Sequence, residues 1–178
     1  MRSVHFIKNT FFSLLILLSV FAKAQDKFPI PAGNPKQMFY LQRTSNTNTI
    51  VYELNYKNGV LDQEDPIHVF WIRYGEKGQK EELNFIQRKF AYGLKANFIS
   101  HDKFKLNFVS YKKYVMYLMK GSDNKYNVYA NINQKHAILD RIFVKINGGS
   151  LFSPNIEYVE IKGIDPLTGL EVKERMKI

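Results

Sequence analysis

Between Met38 and Met176 the chain is written mostly in two-residue alternation, interrupted at short intervals by turn chemistry, and this restricts it to a β-rich fold. Ile50, Tyr52, Leu54 and Tyr56 alternate with Val51, Glu53 and Asn55, and Phe104, Leu106 and Phe108 with Lys103, Lys105 and Asn107. Tyr126, Val128, Ala130 and Ile132 alternate with asparagines and Tyr129. Strands are expected at 38–44, 49–56, 67–74, 103–108, 114–119, 126–132, 137–146, 156–162 and 170–176. Asn58-Gly59 is the strongest hairpin signal, because both residues tolerate the left-handed backbone of a tight turn. Gly121–Asn124, Gly148–Ser150 and Asp165–Gly169 supply further breaks. About nine short strands in series form an antiparallel meander, and that many strands curl into a barrel-like sheet or split into a β-sandwich. The barrel-like form is the expectation.

One stretch departs from this pattern. In His68–Leu94 a strand apolar on both faces, Ile67–Tyr74, gives way through Gly75 and Gly78 to helical spacing of Leu83, Ile86, Phe90 and Leu94. Glu81 and Glu82 suit a helix N-terminus, and Gly93 suits its end. The spacing predicts an amphipathic helix over about residues 79–92, with one stripe on the sheet and the helix against one opening.

Residues 1–24 read as a secretory signal peptide: Arg2 and Lys8, an apolar run from Phe11 to Ala22, then Ala22 and Ala24. No later run approaches the roughly 20 residues of a membrane-spanning helix. Residues 25–36, with Pro29, Pro31, Gly33 and Pro35, form an extended lead-in, and 37–178 a single β-rich domain. The protein is expected to be periplasmic or secreted. It has no cysteine, so disulfides, thiolate metal sites and cysteine nucleophiles are excluded. The formal charge is +10, and removing Arg2, Lys8 and Lys23 leaves +7, an excess spread along the chain that favours peripheral contact with anionic surfaces. Export argues against nucleic acid as the partner.

The segments QRTSNTNTIVYELN, HVFWIRYGEKGQKEELNFIQRKFAYGLK, DRIFVKING and EYVEIKGIDPLTG together resemble an uncharacterised family of exported bacterial domains, a domain of unknown function, over most of the processed chain. The resemblance implies export and one compact β-rich domain. It implies no activity, cofactor or catalytic residue.

No catalytic set emerges from the residues. His68, His101 and His136 lack metal-ligand spacing, so no metal or cofactor is expected, and Ser100-His101-Asp102 is a consecutive run in a turn, where a triad must converge from separate elements. Asp62–Pro66 is acidic but lacks the ligand spacing of a calcium loop. The most suggestive pattern is arginine on apolar strand faces: Arg43 with Phe39 and Leu41, Arg73 with Val69 and Trp71, Arg141 with Leu139 and Phe143. Converging at a barrel mouth beside His68, Trp71, Gln87 and Arg88, these guanidinium groups would bind a carboxylate, phosphate or sulfate. Pairing with Glu53, Glu157 and Glu160 is the competing outcome. Three functions are therefore carried forward: a non-enzymatic binding domain for an anionic or amphipathic small ligand or envelope glycan; an interaction or scaffold subunit docking on an envelope protein; and, last, a hydrolase acting on envelope material.

Overall fold

The computed structural model describes residues 28–44, 46–121, 123–150 and 153–177. The expected signal peptide and the first residues of the lead-in lie outside them.

All nine expected strands are present. The thirteen strands among the described residues are β1 (Gln37–Arg43), β2 (Asn46–Leu54), β3 (Tyr56–Lys57), β4 (Val60–Leu61), β5 (Ile67–Ile72), β6 (Lys80–Glu82), β7 (Leu94–Ser100), β8 (Lys103–Phe108), β9 (Val115–Lys120), β10 (Tyr126–Ile132), β11 (Lys135–Gly149), β12 (Pro154–Ile164) and β13 (Glu171–Met176). β3 and β4 form a separate hairpin around Asn58 and Gly59, both at positive φ, as the Asn-Gly pair predicts. The other eleven make one sheet. Its main path runs β6-β5-β2-β1-β11-β10-β9-β8-β7, with β12 and β13 branching from β11.

The branch explains the curl. Ile138 of β11 pairs with Tyr129 of β10 and with Ile164 of β12, while Arg141–Val144 pair with β1 and with β12. β10 and β1 therefore take successive stretches of the same edge of β11, and β12 takes the other. β11 outruns its hairpin partner β10, and the surplus edge is filled by β1 in parallel, a departure from a purely antiparallel meander. Two arms leave that edge, β1-β2-β5-β6 and β10-β9-β8-β7, and fold over one core as a half-barrel. Phe108 of the second arm meets Phe39 and Tyr52 of the first edge-on, at 6.3 and 5.9 Å between ring centroids.

A bulge at Asp140 decides where the arginines point. Leu139 pairs with Gly163 but Arg141 with Lys162, so Asp140 is an extra residue and the alternation changes phase. Ala137 and Leu139 face the main core before the bulge, Ile142 after it. Arg141 thus does not share a face with Leu139, contrary to the simple alternation. It stands with Phe143 on the outer face.

That outer face has its own apolar cluster of Tyr40, Val51 and Phe70, with Ile72 at its margin. The lead-in crosses it as a strap. Phe28 packs edge-on against Phe143 at 5.1 Å, the Pro29 carbonyl accepts from Gln42 Nε2 at 2.7 Å, Pro31 is buried, and the Ile30 carbonyl accepts from the Tyr74 hydroxyl at 3.4 Å. Residues 28–31 are thereby part of the packing rather than a free leader.

The helix is present but begins later than its periodicity suggests. Residues 80–82 pair with β5 as β6, and helical backbone starts at Phe85: α1 (Phe85–Gln87), continued by a π-helical turn, Arg88–Tyr92. Asn84 sets the start through a capping box, its Oδ1 accepting from Gln87 N at 2.9 Å while Gln87 Oε1 accepts from Asn84 N at 3.1 Å. Only the ends of its apolar stripe lie on the core: Leu83 is buried and Leu94 packs beside it, but Ile86 and Phe90 between them, with Phe85, are 54%, 61% and 71% exposed. The π turn instead rotates Tyr92 inward, where its ring packs edge-on against Trp71 at 5.1 Å and its carbonyl accepts from the buried Tyr52 hydroxyl at 2.9 Å. Gly93 is not a left-handed cap, since its φ is −62°. It is required because a Cβ there would stand 2.0 Å from the Arg88 carbonyl oxygen.

Candidate functional site

Four of the residues singled out from the sequence meet around Trp71. The Arg43 and Arg73 guanidinium carbons each lie 5.9 Å from its ring, and Arg43 is equally far from the Tyr92 ring. Gln87 Oε1 accepts from Trp71 Nε1 at 3.2 Å. Trp71 is itself almost fully buried, so the cluster seals the helix-covered end of the half-barrel. Arg73 is already engaged, its Nε lying 2.9 Å from Glu81 and 3.5 Å from Glu76. The Arg43 Nε is buried and has no hydrogen-bond partner among the described residues.

The other three lie elsewhere. His68 points to the outer face, with Nδ1 3.3 Å from Glu53 and Nε2 2.8 Å from Glu82, and Arg88 reaches the same Glu82 at 3.3 Å. Arg141 donates from Nε to Gln42 Oε1 at 2.9 Å, beneath the strap. The seven residues therefore divide among three environments, and Arg73, Arg88 and Arg141 each meet an acceptor supplied by the protein itself.

A cleft opens at the other end of the molecule. β1 links the two ends, with Gln37 and Met38 lining the cleft and Arg43 six residues from Gln37 at the Trp71 cluster. The cleft has a volume of about 530 Å³. Leu54, Leu61 and Met38 form its apolar floor; Tyr56 comes from the β3–β4 hairpin and Tyr126 from the second arm; Gln37, Gln63, Asn124 and Asn127 add four amides. The Tyr126 hydroxyl donates to Asp102 Oδ1 at 2.5 Å, and Lys120 Nζ approaches the same oxygen at 3.3 Å while lying 5.2 Å from the Tyr126 ring centroid. The Tyr126 hydroxyl and the Lys120 ammonium hold the Asp102 carboxyl below its ordinary range. Burial, reinforced by that carboxylate, pushes the Tyr126 phenol well above its own. Asp102 is thus a fixed anionic acceptor and Tyr126 a fixed neutral donor.

None of the cleft residues is among the site residues that the sequence offers: Leu54, Tyr56 and Tyr126 read only as members of alternating strands, and His101 and Asp102 only as part of a consecutive run. They sit at strand ends and in turns, where periodicity marks a strand and says nothing of a shared cleft. In the consecutive run Ser100-His101-Asp102 the acid accepts from Tyr126, 24 residues along the chain.

Among the described residues there is no group of three or more His, Asp and Glu arranged to hold a metal ion, and no helix long and apolar enough to cross a membrane. The sequence model of a family described as a domain of unknown function, DUF4833, matches residues 39–175. The chain belongs to that family. The DUF4833 match takes in both arms, the Trp71 cluster and most of the cleft lining, and leaves the strap at 28–31 outside. No curated protein and no solved structure matches the chain.

Proposed function

We propose that the protein is an exported, non-enzymatic binding domain of the bacterial cell envelope, and that its cleft takes an anionic envelope glycan. The observation that carries this reading is the lining: two tyrosine rings, four amides and the fixed Asp102 acceptor, with Lys120 and Lys125 at the rim. Sugar rings present an apolar face that stacks on aromatic side chains, and their hydroxyls need both donors and acceptors, which amides and a carboxylate supply together. The two ammonium groups favour a saccharide bearing carboxylate or phosphate. Export rests on the N-terminal sequence pattern.

The test is titration of the isotope-labelled chain with acidic and neutral oligosaccharides from bacterial envelopes, followed by amide shifts. Shifts should concentrate at Tyr56, Asp102, Tyr126 and Asn127 and be abolished in Tyr126→Ala, with acidic saccharides binding more tightly. Shifts confined to residues outside the cleft, or none with any saccharide, would remove the proposal. A second reading, as a scaffold subunit, is favoured by one feature: β7 pairs only with β8 among the described residues and carries the exposed Phe98 and Ile99, an edge on which a partner strand could add.

A further inference from the structure

The positive charge is not distributed as evenly as a first reading of the chain suggests. Residues 83–122 contain eight lysines and arginines and a single acid, Asp102, a net +7. The rest of the chain from Gln25 onward holds fifteen basic and fifteen acidic residues. The whole excess of the processed protein therefore belongs to α1, the π turn, and β7, β8 and β9 with their loops. Of these eight cations only Arg88 and Lys120 have a carboxylate within 4.0 Å among the described residues. Lys89, Lys95, Lys103, Lys105, Lys112 and Lys113 do not.

The same region carries exposed apolar groups at one tip. Phe85, Ile86 and Phe90 project from the helical segment, and the loop after β8 is tied to it: Ser110 Oγ donates to the Ala91 carbonyl at 2.6 Å and Val109 N to the Gly93 carbonyl at 3.0 Å. That loop brings exposed Tyr111 with Lys112 and Lys113 alongside. Lys89 Nζ lies 5.2 and 5.4 Å from the Phe85 and Phe90 rings, so a cation sits among the apolar groups.

Apolar side chains ringed by uncompensated lysines suit a phosphate-bearing lipid surface, where rings enter the acyl boundary and ammonium groups meet the head groups. We propose that this tip docks on an anionic lipid bilayer, with Phe85, Ile86, Phe90 and Tyr111 inserted and Lys89, Lys112 and Lys113 on the phosphates. A partner protein or a second copy would have to supply compensating acids, and this chain has none to spare: the remainder of its surface is charge-balanced. The inference stands apart from the glycan reading, since it uses the opposite end of the molecule.

The experiment is co-sedimentation of the chain beginning at Gln25 with vesicles of phosphatidylglycerol and phosphatidylethanolamine, and with vesicles of phosphatidylcholine alone. Binding should require phosphatidylglycerol and weaken with salt, and Lys112→Glu/Lys113→Glu should reduce partitioning by roughly 25-fold or more, at about fivefold per cation. Phe85→Ser/Phe90→Ser should also lose binding, and both variants should keep the far-ultraviolet dichroism of the parent because the altered side chains are exposed. Equal binding to neutral vesicles, no binding to either, or variants that sediment like the parent would overturn it. So would a concentration-dependent dimer that the Phe85→Ser/Phe90→Ser change dissolves, which would assign the tip to a second copy.

Discussion

Replacing Tyr52 by phenylalanine tests the packing at the point where sheet, helix and core meet. The hydroxyl is fully buried and donates to the Tyr92 carbonyl at 2.9 Å, so at neutral pH its loss removes one hydrogen bond and leaves that carbonyl without its donor. A cost of about 1.5 kcal/mol follows, or about 3–6 °C in melting temperature for a chain of this size. Burial first, and then the neighbouring Tyr92, hold the Tyr52 phenol well above its ordinary value. Because the folded value is raised, its contribution is intact below the unfolded value near 10 and is lost as pH rises from there toward the folded value. In that window Tyr52 alone removes about 1.4 kcal/mol of stability per pH unit, as the unfolded chain ionises and the folded one does not. Tyr52→Phe deletes this slope. Urea unfolding at a series of pH values should show the variant less stable at neutral pH and losing stability more slowly above about pH 10, the two curves meeting about one unit higher. Curves that stay parallel through the alkaline range would refute the argument that the ring is held protonated by its burial.

Two further changes probe other joints. Gly163→Ala should cost about 2–3 kcal/mol in urea unfolding, because its Cβ would stand 2.4 Å from the Ile138 carbonyl oxygen and 2.7 Å from Ile132 Cδ1, and only the side chain is free to yield; adding Ile132→Val should recover part of the loss, and full recovery would show that the backbone is not the obstacle. Asn84→Ala removes the acceptor of the capping box and should cost about 1 kcal/mol, read as faster amide exchange from Gln87 to Tyr92 with β10 unchanged.

Alternation located the strands because each buries one face or both, and burial is what alternation records. It failed where one residue changed the geometry. Asp140 is unremarkable in sequence, yet as a bulge it reverses the phase of β11 and sends Arg141 beneath the strap, away from Leu139. The helical spacing of Leu83, Ile86, Phe90 and Leu94 was real, but the helix lacks the length to use it. Asn84 and Gln87 set its start six residues beyond the expected one, and the π turn aims Tyr92 rather than Phe90 at the core. The parallel contact of β1 with β11 joins residues about a hundred positions apart and follows from the surplus length of β11, which no local window contains. The cleft was invisible for a similar reason: Asp102, Lys120 and Tyr126 meet through the pairing of β8, β9 and β10, and Tyr56 joins them only once the two arms have folded over each other.

The arginine pattern reads differently once the carboxylates are placed. Arg73 lies against Glu81 and Glu76, and Arg88 against Glu82, which also holds His68. These acids fall in the short stretch between β5 and α1, so a single segment supplies carboxylates to Arg73 at its start and Arg88 just past its end, and leaves Lys89 without one. The lysines of β7, β8 and the loop after β8 have no such segment nearby, and their charge stays on the surface. The molecule is therefore polar along β1: a cleft with a fixed acceptor at its Gln37 end, and at its Arg43 end, roughly 20 Å away by the rise of six strand residues, the Trp71 cluster and beyond it a tip with exposed apolar groups and ammonium groups. If the tip docks on a bilayer and the cleft takes a glycan, as proposed, the two surfaces are engaged at opposite ends of β1 and neither occupies the other's residues.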